Sequence, residues 1–103
     1  MIRIIDGKRY NTETAEKLCD ISRRGFYRND FHYDDTYLYR TSAGAFFISG
    51  EGGALSRWSR PIGQNGSGGG DGLRPIDADE ARELLEQYGA PEQVEEYFSV
   101  VDA

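Results

Sequence analysis

Tyr37-Leu38-Tyr39-Arg40-Thr41-Ser42-Ala43-Gly44-Ala45-Phe46-Phe47-Ile48-Ser49 decides the fold. Two runs rich in aromatic and aliphatic side chains flank Ser42-Ala43-Gly44, the composition of a three-residue hairpin loop with glycine in the left-handed position. With Thr41 facing Ala45, the register puts Leu38, Arg40, Phe46 and Ile48 on one face and Tyr37, Tyr39 and Phe47 on the other. Both faces are largely apolar. Such a pair is either central in a sheet covered on both sides, or covered by helices on one side while its tyrosines face a partner on the other.

Upstream, Ile2-Arg3-Ile4-Ile5 and Lys8-Arg9-Tyr10 flank Asp6-Gly7, which predicts a first hairpin closed by a type I′ turn. Asn11-Thr12-Glu13-Thr14 then offers a cap, and Ala15, Leu18 and Cys19 follow at spacings of three and four, which predicts a short helix over 12–20. Residues 22–31 have no clean period and are expected to form a loop or an irregular strand. Downstream of the central hairpin, Gly50-Glu51-Gly52-Gly53 ends the pair, and 55–60 suits one or two helical turns before Pro61. Residues 63–72 hold six glycines in ten and are expected to be a flexible loop. Leu73-Arg74-Pro75-Ile76 suits an edge strand, because proline lacks the donor that a central strand needs.

The C-terminal segment has the clearest helical pattern. Asp77 and Glu80 form a capping-box-like start, Ala78, Ala81, Leu84, Leu85 and Tyr88 share one stripe, and Gly89 stands where a cap belongs. Pro91 opens a second helix in which Val94, Tyr97 and Phe98 share a side. The fold class that follows is α+β. A mainly antiparallel sheet of four or five strands carries a short N-terminal helix and a C-terminal amphipathic helix, in a single domain over 1–103.

Composition supports a small, aromatic-rich core: 103 residues, 38% hydrophobic, with seven Tyr, five Phe and one Trp. No apolar stretch reaches the length of a membrane span and Met1-Ile2-Arg3 does not open a signal peptide, so a soluble cytoplasmic protein is expected. The single cysteine, Cys19, excludes an internal disulfide framework and a cysteine-based zinc site. The net charge of −6 is unevenly spread. Residues 1–76 carry 11 Lys and Arg against nine acids, whereas 77–103 carry Arg82 alone against nine acids. The acidity belongs to the C-terminal helices, where it repels phosphate and favours a partner with a basic surface.

Candidate chemistry is sparse. No P-loop and no complete dinucleotide-binding fingerprint occurs, so the glycines point to turns and connections, and no cofactor is implied. His32 with Asp34, and Asp35 or Glu51, has the donor types of a metal or acid–base site, but one histidine is a poor basis for it. Cys19, on the apolar side of the expected helix, reads as a small buried thiol. Arg23, Arg24 and Arg28 interleave with Phe26, Tyr27, Phe31 and Tyr33, a composition that can stack bases and neutralise phosphates. Arg24-Gly25-Phe26, with Phe31 beyond it, is similar to part of the RNA-recognition-motif signature, and departs from it at Tyr27 and Arg28.

Tyr10-Asn11-Thr12-Glu13-Thr14-Ala15, Leu38-Tyr39-Arg40-Thr41 with Gly44 and Phe46-Phe47, Gly50-Glu51-Gly52-Gly53, and Pro75-Ile76 with Glu80-Ala81 resemble small bacterial and phage-associated proteins of unassigned activity. The resemblance spans about 8–86 and implies a shared fold without a catalytic residue. In size and charge the chain also resembles anti-CRISPR inhibitors. That likeness implies a non-enzymatic protein, acting in the cytoplasm of a bacterial host, that blocks a nucleic-acid-handling defence complex. Asp79, Glu83, Glu86, Glu92, Glu95 and Glu96 would meet its arginines or lysines, with Tyr37 and Tyr39 as apolar anchors. The alternative is a nucleic-acid-binding module using Arg23, Arg24, Phe26, Tyr27 and Arg28. The tyrosine face could instead pair with its own copy, so both monomer and homodimer are open.

Overall fold

A computed structural model describes residues 1–103. Eight strands precede two helices: β1 Ile2–Ile5, β2 Lys8–Asn11, β3 Glu16–Asp20, β4 Asp34–Arg40, β5 Phe46–Gly52, β6 Arg60–Ile62, β7 Gly66–Gly68, β8 Gly70–Ile76, α1 Ala78–Tyr88 and α2 Pro91–Tyr97. The main sheet is antiparallel in the order β3-β4-β5-β8, and β1-β2 and β6-β7 are separate hairpins. The α+β class and the four-stranded antiparallel sheet are as expected. No helix is long and apolar enough to cross a membrane.

The central hairpin takes the register its loop dictates. Leu38 pairs with Ile48, Tyr39 with Phe47 and Arg40 with Phe46, and the Thr41 amide donates to the Ala45 carbonyl at 2.8 Å. The first hairpin is closed by Asp6 and Gly7 at φ 51° and 74°, as a type I′ turn requires.

Both faces of the sheet are covered, which settles the first alternative posed by the sequence. On one, Leu38, Phe46 and Ile48 pack with Leu18, Ile21, Trp58, Ala81, Leu85 and Val94. On the other, Tyr39 and Phe47 pack with Tyr10 and Leu73. Full burial of Phe47, Ile48 and Leu85 contributes about 1.5–3 kcal/mol each.

The predicted helix over 12–20 is corrected by the structure. Asn11 does cap a turn: its Oδ1 accepts the Glu13 amide at 2.9 Å and its carbonyl accepts that of Ala15. The chain then enters strand β3 against β4, with Leu18 as an extra residue between the pairs Lys17–Tyr39 and Cys19–Leu38. That bulge breaks the period of two and puts both Leu18 and Cys19 against the main core while Ala15 packs on the opposite cluster, so the spacings of three and four imitate a helix. A strand also satisfies the backbone of β4, which an isolated short helix could not do.

The glycine-rich segment is corrected too. It is not a loop without regular structure, because β6-β7 forms a hairpin and Gly70–Gly72 begin β8. Glycine is needed at 72, where an added Cβ would stand 2.8 Å from the Trp58 ring. Residues 55–58 form turns and a bend, not a helix, and Arg60 opens β6. β8 is the edge strand, as Pro75 implies.

α1 begins at Asp77, whose carboxylate accepts the Glu80 amide at 2.8 Å. It ends where the Gly89 amide reaches the Leu85 carbonyl, with Gly89 extended and not left-handed. Pro91 opens α2, and the Gln93 side chain ties that helix to the Leu18 carbonyl.

Candidate functional site

The acidic helical surface is built locally. Asp79, Glu83 and Glu86 on α1 and Glu92, Glu95 and Glu96 on α2 are all exposed. Their only ion pair is Arg82 with Asp79, at 3.5 Å. Glu86 and Glu95 flank an open groove of about 340 Å³ between the helices, floored by Leu85 and Val94 and bordered by Val100. A neighbouring hollow brings Glu83 and Glu86 beside Val100 and Val101. Val101 is 89% exposed, so carboxylates surround uncovered apolar side chains.

Tyr37 and Tyr39 do not join this surface, and Tyr39 is not an anchor awaiting a partner. It is 7% exposed and stacked on Phe47 with centroids 5.0 Å apart. Burial, with Asp35 nearby, raises its phenol above the ordinary value. Tyr37 is half-buried under the Lys17 ammonium at 4.0 Å, and its phenol is raised by a hydrogen bond with Asp35 and by burial. The second cluster supplies over Tyr39 the cover that the sequence left open.

A polar network that sequence reasoning missed sits inside the opposite layer. Asp34, 2% exposed, receives Arg57 Nε at 2.9 Å and the Thr36 hydroxyl. The Trp58 indole donates to Thr36 Oγ1 at 2.8 Å, the Ser22 hydroxyl accepts the Thr36 amide at 2.9 Å, and Arg57 also reaches the Ile21 carbonyl. No buried side-chain polar atom in it lacks a partner, as a buried ion pair requires. The network fixes the loop 53–59 against β4. The residues lie 23 apart in sequence, so no local spacing could have indicated the pair.

No family model, curated protein or solved structure matches the chain.

The Arg/aromatic segment lies in the loop between β3 and β4. Phe26 has two ring partners, Arg23 at 5.2 Å and His32 stacked at 5.2 Å. Arg28 is tied to Glu51 at 3.0 Å, while Arg24 is exposed and Tyr27 is 84% exposed. Phe26 is therefore occupied, and Tyr27 is the freer stacking face of the two.

The His32 constellation is not assembled. His32 bonds Asp30 at 3.3 Å, Asp34 is committed to Arg57, and Asp35 and Glu51 pair across strands; no group of three such side chains converges. Asp30 is lowered by the His32 amide that it accepts. Cys19, in β3 and not on a helix, has its thiol raised by burial and by Asp20 beside it, which opposes a thiolate role.

Proposed function

We propose that the protein is a non-enzymatic binding protein whose α1–α2 surface occupies a basic, nucleic-acid-handling surface of a partner. What carries this reading is the acidic surface itself. Asp79, Glu83, Glu86, Glu92, Glu95 and Glu96 are exposed on two adjacent helices with one ion pair among them. Helices selected for stability alone gain from i,i+4 pairing of opposite charges, and that pairing is absent. The uncovered Val100 and the groove over Leu85 and Val94 supply the apolar contact that Tyr37 and Tyr39 do not. In its narrower form, resting on the likeness in size and charge, the protein is an inhibitor of a CRISPR effector complex encoded by a phage or mobile element.

The test is capture of partners from a bacterial lysate by the wild-type chain and by a Glu83→Lys, Glu86→Lys, Glu95→Lys triple variant. The expected partner is a nucleic-acid-binding protein that is lost with the triple variant, weakens as salt rises, and is displaced by its own nucleic acid. Retention of that partner by the triple variant would overturn the reading. The narrower form is tested by CRISPR interference in cells expressing the chain, and full interference would reject it.

A further inference from the structure

Two open clefts adjoin on the β5-β8 side of the sheet and share Arg60 and Asp71. The first, about 430 Å³, is lined by Arg28, Tyr33, Glu51 and the backbone of Gly52, Gly53 and Gly70. The second, about 360 Å³, is lined by Arg3, Arg57, Arg74 and Trp58 along β8. Five guanidiniums, that of Arg57 already held by buried Asp34, thus stand against two carboxylates in the lining. Those carboxylates are already engaged, Glu51 by Arg28 at 3.0 Å and Asp71 by Arg60 at 3.2 Å. Arg3 and Arg74 have no carboxylate partner, and Arg74 lies 5.9 Å from the Trp58 ring. No residue of the acidic helices lines either cleft.

We infer that these clefts form an anion-binding track for the phosphodiester backbone of a single-stranded nucleic acid. Arginine is the residue type suited to bidentate phosphate contact. Glycine walls leave backbone bare, so a chain with a charge on every unit can lie close without meeting side chains. Leu73 is the only aliphatic side chain among the lining residues, so the clefts offer little to the apolar anchors on which an acidic peptide depends. The site is independent of the acidic-helix reading, since it uses none of the same residues.

Trp58 is the only tryptophan and lines the track, so its fluorescence reports occupancy directly. The probe is an oligothymidylate of about 12 nucleotides, titrated at about 50 mM salt. Binding is expected to change Trp58 emission and to weaken roughly twentyfold to fiftyfold between about 50 and 200 mM salt, the response of three or four phosphate contacts on a single strand. Arg3 and Arg74 are exposed and unpaired, so an Arg3→Glu, Arg74→Glu variant should keep the wild-type circular dichroism and melting curve while losing at least about tenfold in affinity. The Glu83→Lys, Glu86→Lys, Glu95→Lys variant should still bind. Unchanged emission at high micromolar protein, or unchanged affinity in the Arg3/Arg74 variant, would overturn the proposal. So would equal displacement by a hexaglutamate peptide, which would assign the clefts to acidic polypeptide. Neither result touches the acidic helices, so the two proposals fail separately.

Discussion

The acidic helices and the arginine clefts are opposite in sign and in how the chain makes them. The six carboxylates fall within 79–96 and are exposed by helical period alone. The cleft arginines, at 3, 28, 57, 60 and 74, meet only because three strands and two loops converge. The first surface rests on helices that the core holds through Ala81, Leu85 and Val94, but its carboxylates themselves make no core contact; the second reaches into the core through Arg57, which is both a cleft wall and the partner of buried Asp34. Charge chemistry that is local can change freely; charge chemistry assembled by packing cannot.

The largest expected effect breaks this contrast at its firmest point. Asp34→Ala leaves Arg57, with a side chain 26% exposed, facing an emptied pocket, and strips Thr36 of its acceptor. A loss of about 3 kcal/mol is expected, at the low end for a broken buried pair because Arg57 keeps some water. That should lower Tm by roughly 10 to 20 °C for a chain of this size. A melt unchanged by Asp34→Ala would show that the basic side is no more tied to the fold than the acidic side.

Asp77→Ala sharpens the other half. It removes the cap on the Glu80 amide and a favourable charge at the α1 N-terminus, for about 1 kcal/mol. Denaturant unfolding should show a shifted midpoint with an unchanged slope. A loss several times larger would mean that the start of α1 carries more of the fold than a single cap accounts for.

The smallest effect concerns the seam between helix and sheet. The Tyr97 hydroxyl donates to Glu16, and that bond, with burial and the nearby carboxylates, pushes the phenol up to about 12. The unfolded phenol titrates near 10, so the folded chain holds the proton longer. Its contribution is whole below about pH 10 and is lost as pH rises through about 12. Tyr97→Phe should flatten that part of the stability profile, and an unchanged alkaline profile would separate α2 from Glu16.

Much of the fold was legible where neighbours along the chain settle it. Gly44 and the loop before it set the β4-β5 register, Asp6-Gly7 the first turn, and Asp77 and Pro91 the helix starts. The misreadings share another cause. Leu18 and Cys19 face the same core through a bulge and so, with Ala15, mimic helical spacing, and a bulge is defined by the partner strand. Glycines 66–72 carry no alternating pattern because Trp58 and the facing strand, not side chains of their own, determine where they lie. Of the candidate site, the exposure of the six carboxylates was legible. The fate of the tyrosines was not, since both faces of the hairpin read as apolar and only Tyr10 and Leu73 decide that the second is covered.

The amino-acid order by itself determined the hairpins at 2–11 and 37–49, the two C-terminal helices and the separation of charge into a −8 tail and a near-neutral remainder. Turn torsions, caps and helical period act over a few residues and need no distant partner. Only the tertiary structure decided that 16–20 is a strand, that Tyr39 is core, that Asp34 holds Arg57, and that five scattered arginines line two adjoining clefts. Each of these depends on contacts between residues far apart in the chain, where burial and ion pairing outweigh local preference.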